Sequence, residues 1–135
     1  MEILVDSNVL LDVLTEDKEW FEWSSERIAY HAERDLLGIN PLIYSEVSIH
    51  CSIIEELEEA LPSDLFARFQ LPWEAAFLAG RCFLEYKKRG GQRRSPLPDF
   101  YIGAHASISG YALLTRDATR YRTYYPKLRL ITPEK

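Results

Sequence analysis

Short apolar runs alternate with longer amphipathic stretches along this chain, an order that predicts strands separated by helices. The first run, Ile3-Leu4-Val5, ends at Asp6-Ser7-Asn8 and reads as a buried strand followed by a turn or helix start. A helix follows from about Lys18 to Arg34, with Trp20, Phe21, Trp23, Ile28 and Ala32 supplying apolar faces and Asp17 an N-cap. Leu36 to Ile39 is the next strand. Asn40-Pro41 then opens a helix, because Asn caps well and Pro is tolerated in the first turn. Ile43, Val47, Cys51 and Ile54 recur there at helical spacing, on one bent helix or two, until Pro62-Ser63-Asp64 ends the stretch.

Asp64 to Phe69 reads as a short helical piece. Pro72 opens a longer helix whose packing side is expected from Trp73, Phe77, Leu78, Cys82 and Leu84, and which stops at Gly90-Gly91. A polar loop leads to Pro98-Asp99, the start of a helix that ends at Gly110. Tyr111 to Thr115 and Leu128 to Ile131 are the last apolar strands. Strands separated mostly by helices point to an α/β fold, a three-layer sandwich with a mainly parallel sheet of four or five strands. No G-x-G-x-x-G follows the first strand and no G-x-x-x-x-G-K-S/T occurs, so a glycine-rich phosphate cradle is excluded.

The length, 135 residues, suits one domain spanning residues 1–135, and 47% hydrophobic with 27% charged residues excludes disorder for the bulk of the chain. No apolar run approaches the roughly 18 residues that cross a bilayer, and the start carries Glu2 and Asp6 where a secretory segment would be basic. No membrane association and a cytoplasmic, reducing location are therefore expected. Cys51 and Cys82 fit that expectation as core thiols, since neither has a partner at metal-ligand spacing. His31, His50 and His105 likewise lack such spacing. A net charge of -5 disfavours a surface that grips nucleic acid everywhere. Its distribution is lopsided: Glu55, Glu56, Glu58 and Glu59 crowd one segment, whereas Lys87, Lys88, Arg89, Arg93 and Arg94 crowd another.

In open α/β sheets the site lies beyond the carboxyl ends of the strands, where Asp6 and Asp117 each follow an apolar run. Glu46 and Asp99 sit near the starts of helices that begin at the same edge. Four carboxylates gathered there would repel one another, and a divalent cation such as Mg²⁺ or Mn²⁺ is the expected reason to collect them. Such an ion could activate water against a phosphodiester. The competing local roles are helix caps for Asp6, Asp99 and Asp117, and an ordinary surface position for Glu46.

Four segments, Leu4-Val5-Asp6-Ser7-Asn8, Pro41-Leu42-Ile43-Tyr44-Ser45-Glu46, Pro98-Asp99-Phe100-Tyr101 and Leu113-Leu114-Thr115-Arg116-Asp117, occur in an order that resembles the PIN domain. The likeness is strongest to ribonuclease toxins of the VapC type and covers essentially the whole chain. The resemblance implies that Asp6, Glu46, Asp99 and Asp117 bind Mg²⁺ or Mn²⁺ and hydrolyse RNA, with Asn8 and Thr115 assisting through hydrogen bonds. It also implies a cognate antitoxin over the cleft, contact with DNA only through that antitoxin, and a homodimer. Arg120 departs from the pattern, since some relatives carry an acid or amide three positions after the last aspartate. Lys87, Lys88, Arg89, Arg93 and Arg94 are the expected contacts to the RNA backbone. The alternative is a PIN-like RNA-binding or protein-interaction module that keeps the acids without useful turnover. Aspartate-based phosphatase chemistry ranks lower, because Asp6-Ser7-Asn8 has no second aspartate two positions on.

Overall fold

In the computed structural model, which describes residues 1–94 and 97–133, five strands form one sheet. They are β1 (Glu2–Val5), β2 (Leu36–Ile39), β3 (Ala67–Arg68), β4 (Ala112–Leu114) and β5 (Leu130–Ile131). The spatial order is β3-β2-β1-β4-β5, and every pairing is parallel. The connecting helices are α1 (Ser7–Leu14), α2 (Phe21–Arg34), α3 (Pro41–Ser48), α4 (Ile54–Ala60), α5 (Trp73–Lys88), α6 (Pro98–Ser109) and α7 (Thr119–Tyr124). Successive side chains of a strand point to opposite faces, and Ile3, Leu4 and Val5 are all buried, so helices cover both faces of the central strand. Among the described residues, no helix is long and apolar enough to cross a membrane.

β1 and β2 follow from short apolar runs stopped by Asp6 and Asn40, and β4 and β5 from runs that end at Thr115 and Thr132. Gly110 ends α6 with a φ of 73°, a left-handed conformation that a Cβ would strain. Asn40 caps α3 as its residue type suggests, its side chain accepting from the Ile43 N–H at 3.0 Å. Asp17 accepts from the N–H groups of Glu19 and Trp20 as a cap would, but it closes a turn ahead of α2, which begins at Phe21, later than the expected start at Lys18.

Three readings are corrected. The segment 64–69 does not form a helix: its N-terminal part makes only a turn on the Pro62 carbonyl, and Phe69 N–H bonds instead to the Ile39 carbonyl at 2.9 Å, extending β3 along the sheet edge. Ile54 lies exposed at the start of α4 and does not continue the Ile43, Val47 stripe of α3. Finally, Trp73 and Phe77 are 90% and 69% exposed, because α5 buries its small residues Ala75 and Ala79. Small side chains let α5 approach its neighbour closely, which turns the bulky ones outward.

Candidate functional site

The parallel register determines what stands at the top of the sheet. Val5 pairs with Leu114, so the next residues, Asp6 and Thr115, emerge side by side, and Asp6 N–H donates to the Leu114 carbonyl at 2.9 Å. This is the point where strand order reverses between β1 and β4, the crevice where open sheets bind ligands. Asp6 also caps α1, its Oδ1 accepting from Ser7 N–H at 2.8 Å.

Oδ2 of Asp6 accepts from two hydroxyls, Thr115 and Tyr121, each at 2.9 Å. Thr115 has one proton to give and spends it there, while its oxygen accepts from Asn8 Nδ2 and Asp117 N–H, both at 3.2 Å. The Asn8 carbonyl oxygen in turn accepts from Arg116 N–H at 3.4 Å. Asn8 and Thr115 thus tie α1 to the loop after β4. Tyr121 stands between two acids, 2.9 Å from Asp6 and 3.4 Å from Asp99. A phenol carries one proton, and the shorter contact identifies Asp6 as its acceptor.

The other acids are engaged separately. Glu46 accepts from Ser7 Oγ at 2.7 Å. Asp99 faces Arg120, whose guanidinium lies 3.8 Å away and also 5.6 Å over the rings of Tyr86 and Phe100. Asp117 is exposed and accepts from Thr119 N–H at 3.4 Å. Asp99, Asp117, Arg120 and Tyr86 line a cavity of about 370 Å³ at this rim.

Burial dominates the electrostatics. Asp6 accepts three hydrogen bonds that favour its ionised form, yet desolvation and the neighbouring charge of Asp99 push its pKa up to about 7. Burial raises Asp99 as well, against the pull of Arg120 and with Asp117 adding to the rise. Burial also raises Glu46, opposed by the Ser7 hydroxyl. Tyr121 is pushed well above its ordinary range by burial and by the charges of Asp6 and Asp99, and stays a hydrogen donor.

A scan for known families matches residues 3–124 to the PIN domain. The chain belongs to the PIN domain family. No curated protein matches it. Among solved structures, this PIN chain is similar to VapBC2 from Rickettsia felis, bound to a DNA fragment from its promoter, at 14% identity, TM-score 0.75, 99% of this chain and 100% of that one. It is similar to VapBC-1 from nontypeable Haemophilus influenzae at 16% identity and TM-score 0.73, over 98% of each chain. A toxin-antitoxin complex from Klebsiella pneumoniae matches at 19% identity and TM-score 0.69, again over 98% of each. At these identities the likeness shows the fold.

The expected metal chemistry is corrected. Among the described residues of this PIN chain, no three His, Cys, Asp or Glu side chains are grouped so as to hold a metal ion. The expectation that Asp6, Glu46, Asp99 and Asp117 form a Mg²⁺ or Mn²⁺ centre is overturned, and with it the metal-dependent hydrolysis of RNA that rested on that centre. The contacts around the acids differ: Asp6, Glu46 and Asp117 accept from separate protein donors, Asp99 faces Arg120, and the Tyr121 hydroxyl stands between Asp6 and Asp99.

The basic run lies on the end of α5 and the following loop. Lys87 Nζ donates to the Arg93 carbonyl at 2.9 Å, Arg89 pairs with Glu85 at 3.2 Å, and Lys88, Arg93 and Arg94 are exposed. Sequence reasoning missed Tyr121, the Ser7 contact to Glu46 and the role of Arg120. Tyr121 and Tyr125 at i, i+4 mark the buried side of α7, the one signal that could have brought Tyr121 forward.

Proposed function

We propose that this chain is a PIN-fold protein-interaction module, the toxin-side member of a toxin-antitoxin pair, that receives a segment of a cognate antitoxin. The observation that carries this reading is the recess itself: Asp6, Glu46 and Asp99 are all shifted toward their uncharged forms, and Arg120 is the one cation paired with them at salt-bridge distance among the described residues. A guanidinium or ammonium brought in by a partner would restore their charge and gain from it. Asn8 and Thr115 would hold the recess in shape, and Asp117 would stand at its rim. Helices α1 and α3, which carry Ser7 and Glu46, continue into an apolar groove of about 310 Å³ lined by Leu10, Val13, Leu14, Val47 and Leu65. An amphipathic helix fits such a groove. The toxin-antitoxin assemblies among the similar structures support an antitoxin as its source, with DNA reached only through it. Exposed Trp73 and Phe77 support self-association into a homodimer. RNA would enter as a bound ligand of Lys87, Lys88, Arg89, Arg93 and Arg94.

Selection of phage-displayed peptides on the purified chain tests this reading. The expected binders carry apolar residues at helical spacing together with Arg or Lys, and lose affinity about tenfold on Leu65→Asp and on Asp99→Asn, as truncated interface anchors do. Binders indifferent to both substitutions, or selection without such a pattern, would overturn it.

A further inference from the structure

At the carboxyl ends of β2 and β3 lies a cavity of about 380 Å³ that none of the roles above uses. Pro41, Tyr44, Phe69, Arg68, Gln70 and Asn40 line it. Its aromatic walls are fixed. Phe69 lies over Gly38, where a Cβ would fall 1.9 Å from the ring, and its centroid is 4.8 Å from that of Tyr111. Tyr44 donates its hydroxyl proton to Glu58 at 2.5 Å and carries the Arg68 guanidinium 5.3 Å over its ring.

Arg68 is already committed. It donates to both oxygens of Glu58 at 3.3 and 3.2 Å and to the Leu61 carbonyl at 2.7 Å. Its charge is therefore balanced in place, and the cavity has little with which to hold an anion. A flat, neutral ligand suits it better.

The cavity also carries an edge that can read such a ligand. Asn40 is 2% exposed; its Oδ1 accepts from Ile43 N–H, and one hydrogen of its Nδ2 goes to Nδ1 of His105 at 3.0 Å. Burial lowers the pKa of His105, so the neutral ring accepts. Nδ2 is thus satisfied by one partner, and its second hydrogen, which has no acceptor among the described residues, is free to be donated. Gln70, exposed beside it, offers both a donor and an acceptor.

We infer that this cavity binds a nucleobase, its ring against Tyr44 and Phe69 and its polar edge read by the Asn40 and Gln70 amides. A phenylalanine or tryptophan side chain from a protein would fill the space but offer the Asn40 hydrogen no acceptor. The base could be that of a free nucleoside or one presented by a strand. This inference is independent of the antitoxin reading, which concerns the other side of α3.

The test is an amide-resolved NMR titration of the full chain with adenosine, guanosine, cytidine and uridine, with a short single-stranded RNA, and with N-acetyltryptophanamide as a protein side-chain mimic. The expected result is a saturable shift of the Asn40 and Gln70 side-chain signals by at least one nucleoside, weakened about tenfold in Gln70→Ala, the scale of one lost hydrogen bond. If nucleosides leave those signals unmoved and the RNA moves them, the base is one presented by a strand. Silence of both signals toward every nucleoside and the RNA would overturn the inference. So would a tryptophan mimic that binds as tightly as the best nucleoside. Gln70 is a surface residue, and the same spectra report whether its variant remains folded.

Discussion

Asp6 and Asp12 are buried almost equally, at 3% and 2% exposure, yet their surroundings could hardly differ more. Asp12 on α1 meets the Arg116 guanidinium through both oxygens, at 2.8 and 3.0 Å, and accepts from the Ser24 hydroxyl at 2.7 Å. Its charge is matched inside the protein. Asp6, at the top of the adjacent strand, is given only neutral donors and a second acid nearby, and its pKa rises to about 7. Neutral hydrogen bonds do not offset the desolvation of a carboxylate, whereas a bidentate cation supplies what water supplied. One aspartate therefore fastens α1 to the loop after β4, and the other leaves a site short of positive charge.

The largest way to test this contrast is pH. The folded chain retains a proton on Asp6 up to about pH 7, whereas an unperturbed aspartate loses it near 3.8. The stabilisation from that proton is complete below the unfolded value and is lost as pH rises through the folded one. Between pH 4 and 7 the loss amounts to at most about 4 kcal/mol. Urea denaturation across this range should show that decline in the parent chain and a clearly smaller one in Asp6→Asn, where Asp99 and Glu46 still titrate above their ordinary range. An identical profile in both would remove Asp6 from the account.

Next in size is the Asp12 pair. Arg116→Ala leaves a buried carboxylate without its cation and should cost about 3 kcal/mol, most of it recovered when Asp12→Asn is added. Chemical denaturation of the single and double variants measures this. Additive losses would show that the two side chains are not coupled.

Two smaller changes adjust Asp6 itself. Tyr121→Phe removes a donor to its ionised form and should raise its pKa, with a stability change of about 1 kcal/mol. Asp99→Asn removes a neighbouring negative charge and should lower it. Carbon-detected NMR titration of the Asp6 carboxyl reads both, and shifts in the same direction would contradict the arrangement.

The difference between the two aspartates also marks what can be read from sequence. Asp6 was legible because it ends an apolar strand, and Asn40 because Asn-Pro opens a helix so plainly, whereas Asp117 stands three residues beyond β4. β3 was not, since two residues at a sheet edge carry no periodicity and take their conformation from hydrogen bonds to β2. The exposure of Trp73 and Phe77 escaped for a similar reason, because apolar size was read as burial while Ala75 and Ala79 decide which side of α5 packs. At the site, the types and order of the acids were visible, but the hydroxyls that turn them apart come from α1 and α7. Their direction depends on tertiary packing. An acid-rich edge in sequence therefore establishes neither a shared focus for the carboxylates nor a place for a cation.

The strand order has a consequence for assembly. Strand β1 is central, but its partner β4 begins at Ala112, so the first strand made waits for most of the chain before its second edge is covered. Pairing across that sequence distance closes a long loop and slows folding. Thr115 and Tyr121, which stand against Asp6, both lie beyond that point in the chain. The hydroxyls that meet that carboxylate both come from the C-terminal segment, so its full desolvation requires that segment to be docked.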